Sequence, residues 1–210
     1  MMQVNYKDFI SDLKDKLKGT LPGEAAQYKL APQYRGKINL NELTGHRTGS
    51  VMLFMFPEKN IPHILFIERA DDGKVHSGQI AFPGGKYDLT DENFRHTALR
   101  ETLEETGIEV SVTEVIGELT PLYIPPSNFL VYPFVAFKNY KPEFNPSTSE
   151  VKKIVSVSIP DLLHNNAISL NETHQTHRGE VIAPAYLIGN IKIWGATSMI
   201  LSEFLSLIVD

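Results

Sequence analysis

The sequence predicts an α/β protein, a mixed sheet with helices packed on its faces, on three observations. Short β-branched and aromatic runs outnumber helical ones. One strong helical period sits between strand runs, and another follows the last of them. The turn-forming residues separate these runs without a long linker or repeat. At 210 residues, with 42% hydrophobic and 21% charged positions, the chain is long enough to bury a core.

Taking the elements in order, Phe9, Ile10, Leu13 and Leu17 recur at helical spacing over Tyr6 to Leu17, and Gly19 and Pro22 stop that helix. The stretch to about Arg47 is polar and irregular and reads as an arm laid over the main domain. That gives a division into an arm, 1–47, and a main domain, 48–210. The arm would serve as a lid, a dimer contact or plain packing.

Ser50 to Phe56 and His63 to Glu68 read as strands, with Pro57 to Pro62 as a turn-rich link. A short apolar piece, Gln79 to Phe82, ends at Pro83-Gly84-Gly85. Asn93 to Thr106 reads as a helix, with Asp91 as N-cap, Gly107 as stop, and Phe94, Ala98, Leu99 and Leu103 as its apolar stripe. Strands are expected near Glu109–Val115, Leu119–Tyr123 and Leu130–Phe137. After a polar loop, Lys141 to Ser149, come a strand at Ile154–Ile159 and a helical turn at Pro160–Leu163. Strands at Val181–Leu187 and Ile191–Trp194 precede a last amphipathic helix, Ala196 to Ile208.

Composition narrows the function. Twenty Lys and Arg against 25 Asp and Glu give a net charge of −5, the wrong balance for a nucleic-acid surface. The absence of cysteine excludes disulfides, thiolate nucleophiles and Cys-zinc sites. No apolar run reaches membrane-spanning length, and the first residues lack the layout of a signal peptide, so the expected location is the cytoplasm.

Chemistry concentrates in the central helix. Glu101, Glu104 and Glu105 stand at i, i+3 and i+4 and crowd one side. Their mutual repulsion turns favourable once a divalent cation sits among them, and such hard oxygen ligands suit Mg²⁺ or Mn²⁺ together with substrate phosphates. Gly84-Gly85 just upstream permits close approach of backbone to a ligand. Arg100 would pair with a neighbouring Glu or a phosphate. Arg69, closing a strand near the glycine turn, would hold a phosphate or a carboxylate, and His76 is a further candidate phosphate contact. A pair of histidines, His174 and His177, lies in a segment read as a polar loop. It lacks the partners of a zinc site. Trp194 and Phe204 read as core.

Gly85, Glu92, Arg100-Glu101, Glu104-Glu105, Gly107 and Ile108 resemble the Nudix box, G-x5-E-x7-R-E-U-x-E-E-x-G-U, where U is bulky and aliphatic. Here one extra residue separates Gly85 from Glu92, and Thr102 occupies the aliphatic position. Upstream, Leu65, Arg69, Gly78 and Phe82-Pro83-Gly84-Gly85, with Lys74 keeping a charge, are similar to the segment that marks coenzyme A pyrophosphatases. Phe66, Ile67 and Ala70 depart from it. Gly85-Lys86-Tyr87-Asp88 is similar to the G-K-x-D that carries a one-residue insertion in that subgroup.

The resemblance implies an α/β/α sandwich with the Nudix helix on one face of a mixed sheet. It implies Mg²⁺ or Mn²⁺ on Glu101, Glu104 and Glu105, with Arg100 orienting a carboxylate of the set. The Gly84-Gly85 turn would place the helix. The general base would be Glu101, or Glu150 in the loop before a late strand. The implied substrate is a small-molecule diphosphate, coenzyme A or an acyl derivative, cleaved to 4′-phosphopantetheine and adenosine 3′,5′-bisphosphate. Other nucleoside diphosphate derivatives, such as ADP-ribose, a dinucleoside polyphosphate or a nucleoside triphosphate, are the alternative. A catalytically inactive nucleotide sensor is a third reading. A homodimer is compatible with all three.

Overall fold

The computed structural model describes residues 5–32, 35–36, 38–71, 77–164, 166–176 and 179–209. Lys74, His76 and His177 lie outside the described residues. Over these described residues the backbone forms a mixed sheet of eight strands, a smaller antiparallel sheet of three, and helices on both faces of the larger sheet.

The sheet is organised around β1 (Arg47–Glu58). It pairs antiparallel with β2 (Ile61–Arg69) through a tight turn in which Lys59 and Asn60 both have positive φ, 51° and 66°. Pro57 and Pro62, expected as link residues, face each other within that ladder, so the strands run further than the turn residues implied. On its other side β1 pairs in parallel with β7 (Phe129–Phe137) from Arg47↔Phe129 to Met55↔Phe137. Short strands β3 (Ile80–Ala81) and β4 (Gly84–Lys86) join β2 and β1, and β8 (Val151–Ser158) joins β2.

Alternation along β1 and β2 sends side chains to two cores. Met52, Phe54, Phe56 and Leu65 meet Ala98 of α3 (Phe94–Thr106) on one face. Leu53, Met55, Ile64 and Phe66 belong to a larger core on the other face. That core includes Tyr6, Ile10 and Leu13 of α1 (Tyr6–Lys16) and Phe204 of α5 (Gly195–Val209). A five-residue helix, α2 (Gly23–Gln27), in the stretch expected to be irregular, packs on α5.

Four other expectations are corrected. The N-cap of α3 is Asn93, whose side chain accepts from the His96 N–H at 3.1 Å, because the Asp91 carboxylate is committed elsewhere. Leu103 is exposed. Phe94, Ala98 and Leu99 of the expected stripe do pack on the core, but the most deeply buried positions also include Thr97, Thr102, Glu105 and Thr106, a polar set that an apolar stripe cannot reveal. The expected strand at Glu109–Val115 is loop and a 3₁₀ turn, Val112–Glu114, capped by Ser111. Strands follow at β5 (Val115–Glu118) and β6 (Leu122–Ile124) in place of the expected Leu119–Tyr123.

Fourth, the segment holding His174 is β9 (Ile168–Thr176), the edge of the small sheet with β10 (Gly179–Ile188) and β11 (Ile191–Trp194). His174 is the one buried residue along β9; the rest are exposed or half-buried. It donates its Nε2–H to the Ala183 carbonyl, 3.1 Å away, and stacks on Trp194 with ring centroids 4.0 Å apart. Short α4 (Ile159–Leu162) follows β8, as expected. Among the described residues no helix is long and apolar enough to cross a membrane.

Candidate active site

The site forms where β4 runs beneath α3. Gly107, with φ 74°, ends the helix in a left-handed cap and donates its N–H to the Leu103 carbonyl at 2.8 Å. This fixes the last turn, which carries Glu104 and Glu105. Below the helix, β4 pairs with β1 so that Gly84 faces Val51 and Gly85 faces Ser50.

Both glycines sit in close contact, Gly84 against backbone and Gly85 against the tip of a side chain. A Cβ on Gly84, whose φ is 154°, would lie 2.3 Å from the Ser50 carbonyl oxygen. A Cβ on Gly85 would lie 2.4 Å from the Glu101 carboxyl carbon and 2.5 Å from each of its oxygens. The Glu101 carboxylate therefore rests against the bare Cα of Gly85. Ser50, opposite Gly85, carries a buried hydroxyl without a hydrogen-bond partner among the described residues.

Glu105 is turned inward, its side chain 2% exposed. It accepts the Gly84 N–H at 2.8 Å, and Arg69 Nη1 stands 3.7 Å from its other oxygen. Burial pushes its carboxyl up to about 7, against the lowering pull of that N–H and of Arg69. Glu101 is raised too, again chiefly by burial, with Arg100 opposing and Glu104 and Glu150 adding repulsion. The same charge of Glu150 also bears on Glu105, so Glu150, at the mouth of β8 and exposed, belongs to this electrostatic cluster.

Arg100 is the hub. Its Nη1 donates to Glu101 at 2.8 Å and to Glu104 at 3.0 Å. Its Nε and Nη2 each donate to the Asp91 carboxylate at 3.0 Å, and Nη2 also reaches the Lys86 carbonyl at 3.3 Å. Those charge-assisted bonds hold the Asp91 carboxyl down at about 2. Asp91, expected from the sequence to cap the helix, is instead the acid that pairs with Arg100. The Gly85 spacing could have found it, since five residues separate the two.

Sequence-predicted residues Arg69, Gly84, Gly85, Arg100, Glu101, Glu104, Glu105 and Glu150 thus gather at one end of α3, and His76 lies outside the described residues. Among those residues no three carboxylates or histidines already converge on a point that could hold a metal ion. Arg100 draws Glu101 and Glu104 aside, while Glu105 faces Gly84. The donor set nonetheless suits a hard divalent cation. It offers three carboxylates, two of them burdened by desolvation, and one seated in a cradle that a single methyl group would fill.

The site thus sets an Arg-anchored acidic helix behind a Gly-Gly turn on one face of a mixed sheet. The NUDIX domain family profile matches residues 46–178, and the chain belongs to the Nudix family, as a Nudix-type pyrophosphohydrolase. It is 36% identical over 144 residues to a Nudix hydrolase called NudL, itself described as uncharacterized, from Yersinia pestis (strain Pestoides F). The match covers 67% of this chain and 69% of that protein. NudL of Yersinia pseudotuberculosis serotype O:1b is similar to the same extent. In three dimensions, a MutT/nudix family protein from Enterococcus faecalis superposes with a TM-score of 0.59 at 17% identity. That overlap takes in 96% of this chain and 74% of the other and supports the fold. Nudix hydrolases are in general divalent-metal dependent.

Proposed function

We propose that the protein hydrolyses the diphosphate of coenzyme A or acyl-coenzyme A, releasing 4′-phosphopantetheine and adenosine 3′,5′-bisphosphate. Residues 48–210 act as the hydrolase in the cytoplasm and 1–47 as an arm packed on it. The observation that carries the chemistry is the seating of Glu105 on the Gly84 N–H and of the Glu101 carboxylate against the bare Cα of Gly85, with Glu104 joined to Glu101 through Arg100. What favours coenzyme A is the segment Leu65, Arg69, Gly78 and Phe82 to Gly85, whose Arg69 reaches the same carboxylate cluster.

In this reading Glu101, Glu104 and Glu105 hold Mg²⁺ or Mn²⁺. A bound divalent cation neutralises charge on the diphosphate and makes a bound water more acidic. The chain's own residues do the rest. Arg100 keeps Glu101 and Glu104 on one side of the helix. Arg69, whose 3.7 Å contact with Glu105 is too long for a hydrogen bond, turns to a phosphate oxygen. Gly84 and Gly85 let the substrate approach the backbone. Glu101 or Glu150 takes the proton of the attacking water.

The reading is tested by incubating pure protein with coenzyme A and Mg²⁺ or Mn²⁺ and separating the products. Both named fragments are expected. No cleavage of coenzyme A alongside rapid turnover of ADP-ribose moves the substrate to another nucleoside diphosphate derivative. Retention of all three glutamates argues against an inactive sensor.

A further inference from the structure

We infer that Asp91, and not Glu92, positions Arg100 and, through it, the carboxylates of Glu101 and Glu104. The inference rests on the metal-site reading given above. Two ways of counting the motif disagree here. Five intervening residues from Gly85 lead to Asp91, whereas seven back from Arg100 lead to Glu92. The geometry decides between them. Asp91 takes two parallel bonds from the Arg100 guanidinium, at 3.0 Å each. Glu92 has a side chain 79% exposed, and its carboxylate lies 3.2 Å from the His96 ring, off the network. The extra residue is therefore accommodated between the acid and the helix, where the chain turns through Glu92 into the Asn93 cap.

Asp91 is also held rigidly. Its Oδ2 accepts from the Thr97 hydroxyl at 2.8 Å and from the Asp88 N–H at 3.1 Å, in addition to Arg100. Asp88 is in turn tied to Thr90 by two bonds at 2.9 and 2.8 Å. A guanidinium gripped on its Nε–Nη2 edge has one free direction for Nη1, and that direction meets Glu101 and Glu104. Without the grip, the fork rotates, and the two carboxylates repel and spread. Asp91 touches neither substrate nor metal ligand, so it is a positioning residue.

The experiment compares Asp91→Asn, Glu92→Gln, Arg100→Gln and the Asp91→Asn/Arg100→Gln double variant. It measures Mn²⁺ binding without substrate by electron paramagnetic resonance, and kcat and KM on coenzyme A. Asp91→Asn is expected to weaken Mn²⁺ binding and lower kcat by about 10–100-fold, with KM nearly unchanged. Glu92→Gln leaves both at wild-type values. The double variant is no worse than Arg100→Gln, since Asp91 acts only through that residue.

Wild-type Mn²⁺ affinity in a folded Asp91→Asn protein overturns the inference. So do additive losses in the double variant, or a loss in Glu92→Gln. If Asp91→Asn does not fold, judged by circular dichroism, Thr97→Val removes one of the bonds that hold Asp91. A smaller loss of Mn²⁺ affinity, absent in the Arg100→Gln background, supports the inference, and no loss overturns it. A wild-type protein that binds no Mn²⁺ refutes the metal-site reading itself and takes the inference down with it. Normal wild-type binding with an indifferent Asp91→Asn refutes the inference alone.

Discussion

Two glutamates are buried on two helices, and the molecule treats them in opposite ways. Glu203 on α5 is fully enclosed and fully satisfied. Its Oε1 accepts from the Gly23 N–H, the Thr120 N–H and the Thr120 hydroxyl at 3.2, 3.2 and 2.6 Å, and its Oε2 from the Gln27 amide at 2.8 Å. Glu105 on α3 has one N–H at 2.8 Å and one arginine beyond bonding distance. Burial of a charge is costly unless its lone pairs are met. The first carboxylate meets that condition with four donors and is structural. The second is left short, and on the proposed reading that shortfall is capacity for a cation.

The contrast is broken most severely by replacing the carboxylates themselves. Glu104→Gln or Glu105→Gln is expected to cut turnover by about 10²–10³-fold, in the range seen when one preorganised electrostatic partner is lost, while thermal melting shows the fold intact. Unchanged turnover would show that the cluster holds no catalytic ion.

Glu203→Ala should behave in the reverse manner. Four donors lose their acceptor, and urea unfolding is expected to show a loss of about 3 kcal/mol, with turnover at low temperature unchanged. A large drop in kcat without a loss of stability would erase the distinction between the two residues.

A finer probe is Gly85→Ala. The added methyl meets the tip of a flexible side chain, Glu101, so stability changes little. The displaced carboxylate is expected to weaken Mn²⁺ binding by about 10-fold.

The smallest effect concerns His174, buried far from the acidic helix. Burial lowers its pKa below the usual 6.5. The unfolded chain then binds the proton more readily than the folded one, so stability is full above pH 6.5 and falls as the pH drops below it. His174→Phe, which keeps a ring against Trp194, should flatten that slope in unfolding midpoints taken between pH 7.5 and 5.5.

The sequence made the layered fold, the central and terminal helices and most of the acidic site legible, because those signals are local. Gly107 announces its own left-handed cap, and the i, i+3, i+4 spacing of Glu101, Glu104 and Glu105 needs only helix geometry. What escaped was set by tertiary pairing. β9 reads as a polar loop because its one buried member, His174, is not aliphatic and its aliphatic Ile168 and Leu170 are exposed. The most deeply buried positions of α3 include threonines whose hydroxyls return to the helix backbone, as Thr102 does to the Ala98 carbonyl at 2.6 Å. Asp91 looks like a cap in sequence, and only the position of Arg100 shows its role.

The Gly23–Glu203 contact joins residues 180 apart along the chain. A ribosome must have made α5 before α2 has its acceptor, and by then β1 and β7 have long been exposed. The nascent hydrolase therefore waits with one face of its parallel strand pair not yet covered by α5, and chaperone demand should track translation speed between β7 and α5.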